Sequence, residues 1–159
     1  MSDDQGTPPH GVVVVRSDYR LPYSKGLMAQ SVPVIVRAME SVGVRRLVFT
    51  SAFGVGEQRG DPPLPLPTRM VKRIYIALIL KRIFADKAVG ERILMASTLD
   101  WTIVHPTMLT NGPRTGRYRA GEHLPLRGIP RISRADTADF LLSQLDDRTY
   151  VRKIVVVSD

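Results

Sequence analysis

The sequence predicts an α/β fold in which short parallel strands, buried on both faces, alternate with helices. Three observations carry this. Val12–Val15, Leu47–Phe49 and Ile154–Val157 are apolar runs too short for helices and without a polar face, as strands buried on both sides require. A stretch of helical periodicity lies between the first two, so strand, helix and strand follow one another and imply a right-handed parallel crossover. Leu99–His105 reads as a further strand, ended by Pro106.

The elements follow in order. Residues 1–10 read as a disordered lead-in, and residues 11–159 as one domain, a size sufficient for a proper core. After the Val12–Val15 strand, Arg16 and Ser17 open a loop containing Pro22 and Gly26. Ser31 can cap a helix with Pro33 in its first turn; Val32, Ile35, Val36 and Met39 share one face, and Gly43 closes it. The next strand ends at Thr50 and Ser51. Beyond the carboxyl ends of parallel strands ligands collect, so the Ser51 hydroxyl is placed to meet one; the plainer alternative is a Thr-Ser pair that begins a loop.

Gly54-Val-Gly-Glu-Gln-Arg-Gly60 has the composition of a phosphate loop without its context. The Pro-rich segment after it cannot begin the helix whose N–H groups would face the anion, so it reads as an ordinary loop. The run Ile74–Leu80, flanked by basic residues, is far short of the roughly 20 residues that cross a bilayer. It suits a helix beside the crevice or in an oligomer interface, with a helix lying on a membrane surface as the alternative. A helix over about Asp86–Ser97 places Ile83, Lys87 and Glu91 one turn apart; Lys87 and Glu91 can equally be a solvated ion pair. His105 has no metal-ligand spacing with His10 or His123, so no metal is expected. Residues 107–132 read as a long loop with a hairpin near Gly121. Ser133 then caps a helix to Leu145, with Asp136 three residues on, and Lys153–Val157 is the last strand.

Composition narrows the function. Lys plus Arg number 23 against 15 Asp plus Glu, a net charge of +8 that attracts anionic ligands. The charge is scattered and aromatics total 6%, which argues against a nucleic-acid surface built on base stacking. Cysteine is absent and the first residues are acidic and polar, a pattern that fits a reducing, cytoplasmic setting without a secretory signal.

The segments Arg46-Leu-Val-Phe-Thr-Ser-Ala-Phe-Gly-Val-Gly56, Ala85-Asp-Lys-Ala-Val-Gly-Glu91, Leu99-Asp-Trp-Thr-Ile-Val-His-Pro106 and Ile132-Ser-Arg-Ala-Asp-Thr-Ala-Asp139 closely resemble the atypical short-chain dehydrogenase/reductases of the NmrA-like kind, a group with flavin and biliverdin reductases. The resemblance spans roughly residues 12–158 and implies a partial Rossmann-like sheet whose strands match the family's fourth to seventh. It implies NADP or NAD as cofactor. Phe49, Thr50 and Ser51 would lie beside the nicotinamide, Ser51 also beside the acceptor. Lys87 matches the lysine of Tyr-x-x-x-Lys, which bonds the nicotinamide ribose; Pro106, Thr107 and Met108 match the segment along the nicotinamide; Val15 and Arg16 match the strand end near the adenosine. Ser51 and Lys87 are thus the catalytic candidates.

Two departures matter. Ile83 holds the tyrosine position, and an alkyl group supplies no proton. The family's opening Gly-x-x-Gly-x-x-Gly turn, which anchors the pyrophosphate, is not in this sequence. Weak or absent nicotinamide binding is therefore expected of this chain alone, and Val12–Val15 would be an apolar edge open to pairing with a second copy. The implied function is hydride transfer to a small acceptor of the flavin or quinone class. The alternatives are a non-enzymatic redox-sensing or interaction module, an inactive fragment, or a basic binder of nucleic acid or membrane surface.

Overall fold

The computed structural model describes residues 26–55, 81–126 and 128–159. Within them the elements are α1 (Leu27–Ser41), β1 (Arg46–Thr50), α2 (Lys81–Ala96), β2 (Asp100–Pro106), β3 (Met108–Thr110), β4 (Arg119–Gly121), β5 (Arg131–Ser133), α3 (Arg134–Ser143) and β6 (Lys153–Ser158). The expected Val12–Val15 strand, Val15 and Arg16, residues 56–60 of the glycine-rich loop and the Ile74–Leu80 run lie outside the described residues.

β1, β2 and β6 form the expected parallel core, with β2 central. The sheet is completed at its other edge by β4, in the order β1-β2-β6-β4, and β4 runs antiparallel to β6. The long loop is therefore more structured than the sequence suggests: Gly121 ends a strand, and β3 and β5 make a separate parallel pair. Strands of three residues leave no readable alternation, which is why periodicity missed them.

Alternation along β1 and β2 sorts the core into two layers. Leu47, Phe49, Trp101 and Ile103 pack with Met28, Val32, Val36 and Met39 of α1 and Leu94 of α2. On the opposite face Val48, Val104, Val155 and Val157 pack with Ile132 and Phe140. Both faces of the sheet are thus covered, as a parallel arrangement requires.

α1 begins at Leu27, a turn before the expected Ser31 cap. The Ser31 hydroxyl instead donates back to the Leu27 carbonyl at 2.7 Å, and Pro33 sits inside the helix. The cap comes from α2: the Asp86 carboxylate accepts the Met28 N–H at 3.0 Å and the Ala29 N–H at 3.2 Å, serving donors that the helix itself cannot satisfy. At the other end Gly43 takes φ +73°, with Val44 N–H donating to Met39 and Gly43 N–H to Glu40, the paired bonds of a glycine-terminated helix. α2 is already helical at Lys81, the first described residue of this segment, ahead of the expected Asp86.

Arg46 enters this apolar sandwich at the start of β1 and is 3% exposed. Its guanidinium donates to the Gln144 carbonyl at 3.0 and 2.7 Å, to the Asp100 carbonyl at 2.8 Å and to the Thr102 hydroxyl at 2.8 Å. Burial pushes its pKa down, and the neighbouring Arg148 charge adds to that. The side chain ties β1, β2 and the end of α3 together with every contact to an acceptor.

α1 and α2 approach most closely at Gly90. A Cβ there would lie 3.1 Å from Met28 Cβ and 3.2 Å from Val32 Cγ2. A branched side chain must force the helices apart, so Gly90→Val should destabilise the protein by about 1–3 kcal/mol in urea unfolding, the usual cost of overpacking.

Candidate functional site

The crevice is built where β1, β2 and β6 end. Thr50 pairs with Val104 and the Ser51 N–H donates to the Val104 carbonyl at 2.8 Å, so the register continues with Ser51 beside His105. The Phe53 N–H then donates to the Pro106 carbonyl, and the Thr107 N–H to the Val157 carbonyl. The three strand ends therefore share one level.

Ser51 is 5% exposed, and its Oγ has no hydrogen-bond partner among the described residues; the Thr50 Oγ1 is in the same position. Buried hydroxyls are ordinarily paired, so two adjacent unpaired ones at a strand end are unspent hydrogen-bonding capacity. By alternation Ser51 lies on the side of α1 and α2, and Thr50 on the side of α3.

His105 is fully buried on the α2 side, and its Nε2 lies 2.9 Å from Glu91 Oε1. Because α2 runs back from the strand ends, Lys87, one turn before Glu91, stands about 6 Å nearer the crevice mouth along the helix. Lys87 and Glu91 are 5% and 3% exposed, so the solvated ion-pair reading is wrong for both. Burial lowers the Lys87 pKa, opposed by the Glu91 and Asp86 carboxylates. An anion or a ring of hydroxyls would meet an under-solvated cation here.

The other candidates divide. The Phe49 ring is 2% exposed and belongs to the core layer against α1, so its side chain supports the strand. Pro106 closes β2, Thr107 is 5% exposed with Oγ1 3.3 Å from Ser158 Oγ, and Met108 is exposed at the start of β3. Ile83, in helix α2, is half-buried. Among the described residues no group of three or more His, Asp or Glu is gathered as a metal site would need, and no helix is long and apolar enough to cross a membrane.

Residues 11–148 match the NAD(P)H-binding family. The chain belongs to that family. The solved structures it is similar to include a protein from Bacillus halodurans described as an NAD-dependent epimerase/dehydratase (19% identity, TM-score 0.70, 93% of this chain and 64% of that one). ChuY, an anaerobilin reductase from Escherichia coli O157:H7, shares 16% identity with a TM-score of 0.69 over 94% of this chain and 64% of its own. A short-chain dehydrogenase/reductase from Veillonella parvula in complex with NADP shares 21% identity, with a TM-score of 0.67 over 94% of this chain and 62% of that one. No curated protein sequence matches the chain. These likenesses are of fold, and they agree with the resemblance to atypical short-chain dehydrogenase/reductases. The chain spans 64%, 64% and 62% of the length of the three relatives.

Ser51 and the Pro106–Met108 segment stand where β1 and β2 end, and Lys87 is buried on α2 one turn before Glu91, which meets His105. The Glu91–His105 pair was not foreseen. Its signal was present, since His105 directly precedes the strand-ending proline and Glu91 follows Lys87 by one turn, but nothing in local sequence joins residues 14 apart on different elements.

A second polar group lies on α3. Ser133 caps that helix as expected, accepting the Asp136 N–H at 2.9 Å. The Asp136 carboxylate also accepts the Thr115 N–H at 2.7 Å, the Gly116 N–H at 2.8 Å and the hydroxyls of Thr115 and Ser133, each at 2.9 Å. Burial pushes its pKa up, but these four hydrogen bonds outweigh it and leave the carboxyl below its ordinary value. One turn on, Asp139 holds the Arg114 guanidinium and accepts the Tyr118 hydroxyl at 2.9 Å.

Two outcomes follow. Glu91→Leu leaves the His105 Nε2 without its carboxylate and should cost about 1–3 kcal/mol in urea unfolding. Burial first, and then the bond to Asp139, push the Tyr118 phenol up to about 12. Since the folded value lies above the ordinary 10.0, the neutral phenol is retained and its contribution to stability is lost only as pH rises through that interval. Ultraviolet titration should show a late-ionising tyrosine that is lost in Tyr118→Phe.

Proposed function

We propose that this chain carries the nicotinamide side of an NAD(P)H-dependent reductase of the atypical short-chain dehydrogenase/reductase type, acting on a small electron-poor acceptor of the flavin or quinone class. The observation that carries the reading is the Ser51 hydroxyl, buried at the strand end next in register to His105 and without a partner among the described residues. The donor set suits the cofactor. Lys87 offers a buried cation and N–H donors to the ribose hydroxyls, and Thr50 and Ser51 offer two unfilled hydroxyls. The nicotinamide, when bound, supplies the hydride.

This chain's residues then have separate tasks. Lys87 orients the ribose. Ser51 donates to the acceptor atom that gains negative charge, and Ser51 or a water molecule delivers the proton. Ile83 stands where a tyrosine would protonate an alkoxide, which favours acceptors whose reduced form spreads charge over a ring and needs no strong acid beside it. Membership of the NAD(P)H-binding family and the fold shared with the NADP-bound Veillonella reductase support the reading.

A second reading is favoured by Ile83 itself: a module that uses the fold to bind a nicotinamide or a protein partner without turnover. Absence of turnover of any flavin or quinone acceptor, with a stable partner recovered, would decide for it.

Fluorescence titration of NADPH and NADH into the full chain tests both readings. Saturable binding that Lys87→Met weakens at least tenfold is expected, because the variant removes a charge-assisted contact worth about 1.5–3 kcal/mol. The same variant should raise stability by about 0.5–2 kcal/mol, since it removes an under-solvated buried charge. Binding unaffected by Lys87→Met would remove Lys87 from the site.

A further inference from the structure

β3 holds Met108 to Thr110 at the side of the crevice, yet it pairs over only three residues with β5. A parallel pair of that length needs support from outside itself. Part comes from the end of β6, where the Asp159 N–H donates to the Arg131 carbonyl at 2.9 Å and the Val157 carbonyl accepts the Thr107 N–H at 3.1 Å. The start of α3 is the other neighbour of β5. β5 runs straight into Ser133, the α3 cap. Where the chain leaves β3, the Asn111 amide oxygen accepts the Arg134 guanidinium at 2.6 Å. Gly112 passes so close to Ser133 that a Cβ on it would lie 3.7 Å from the Ser133 Cβ. Thr115 and Gly116 then deliver two N–H groups and a hydroxyl to Asp136, and Arg114 and Tyr118 reach Asp139. Gly116 takes φ +65°, the left-handed turn that aims its N–H at the carboxylate.

We propose that Asp136, with Asp139 one turn behind it, is a clasp that fixes residues 111–118 across the start of α3 and thereby steadies β3, whose preceding residue Thr107 is held by β6. Asp136 is a positioning residue. Its carboxylate is the common acceptor of the loop and of the α3 cap, so the two cannot move apart while it is charged and bonded. The importance of β3 to the acceptor rests on the function proposed above; the clasp does not, and is read without any cofactor.

The experiment uses the full chain. Arg114, Arg117 and Arg119 make the clasped loop its own trypsin reporter, and amide hydrogen exchange over residues 107–112 reports on β3. Asp136→Asn keeps the oxygen that takes the two N–H groups, but the amide nitrogen in place of the other oxygen accepts neither hydroxyl. Trypsin cleavage at 114–119 should then rise about tenfold or more, the effect of losing one hydrogen bond to a charged group. Exchange at 107–112 should rise with it, while exchange in β1 and β2 stays unchanged. Thr115→Val, a milder change, should do the same to a smaller extent, and in combination with Asp136→Asn should add less than the sum, because both remove the same bond. If Asp136→Asn does not fold, Thr115→Val alone decides. A loop that opens while exchange at 107–112 does not change would overturn the coupling to β3, and unchanged cleavage would overturn the clasp. If NADPH binding is absent from the wild type while loop and β3 respond together, the clasp stands and the reductase reading falls.

Discussion

The parallel trio β1, β2 and β6 is covered on both faces, so any polar side chain admitted between the layers must find a partner inside the protein or remain unsatisfied. At the amino ends Arg46 is matched to Gln144, Asp100 and Thr102, and the Thr102 hydroxyl passes on to the Tyr150 carbonyl at 2.7 Å. Trp101 Nε1 and Gln144 Oε1 there, and the Thr50 and Ser51 hydroxyls at the carboxyl ends, are buried without a partner among the described residues. Position beyond the carboxyl ends of parallel strands is what singles out Thr50 and Ser51 as candidates.

Helix α2 links these demands through consecutive positions. Asp86 caps α1, Lys87 is buried beside it, Gly90 admits Met28 and Val32, and Glu91 meets His105. Each assignment fixes the helix against a different neighbour. The rotation and height of α2 are therefore set by the α1 cap, the α1 contact and the β2 contact together, and Lys87 inherits its position from them. A lysine 5% exposed is an expensive residue to keep, and the surrounding contacts hold it there.

Much of this was legible in the sequence. The apolar runs marked β1, β2 and β6, Gly43 marked the end of α1, and Ser133 with Asp136 marked the start of α3, because each signal is local. The start of α1 was not, because its cap lies 58 residues away on another helix. Nor were β3, β4 and β5, whose three residues carry no period. Ser51 and Lys87 are candidates through the family's motifs, with strand-end placement supporting Ser51. The Glu91–His105 contact and the reach of Asp136 to Thr115 and Gly116 depend on tertiary proximity that spacing along the chain does not encode.

The segment Ile132 to Asp139, which carries much of the resemblance to the family, gains a physical meaning from this geometry. Ser133 closes the helix start, Asp136 gathers the loop, and Asp139 repeats the pattern one turn later with Arg114 and Tyr118. None of these side chains belongs to β1, β2 or β6. The motif works through the backbone of the long segment after β2, converting a Gly-, Pro- and Arg-rich stretch with little local preference into one conformation. Where residues at the crevice are few and one expected member is replaced by Ile83, the order imposed from α3 is what distinguishes a shaped site from an open strand edge.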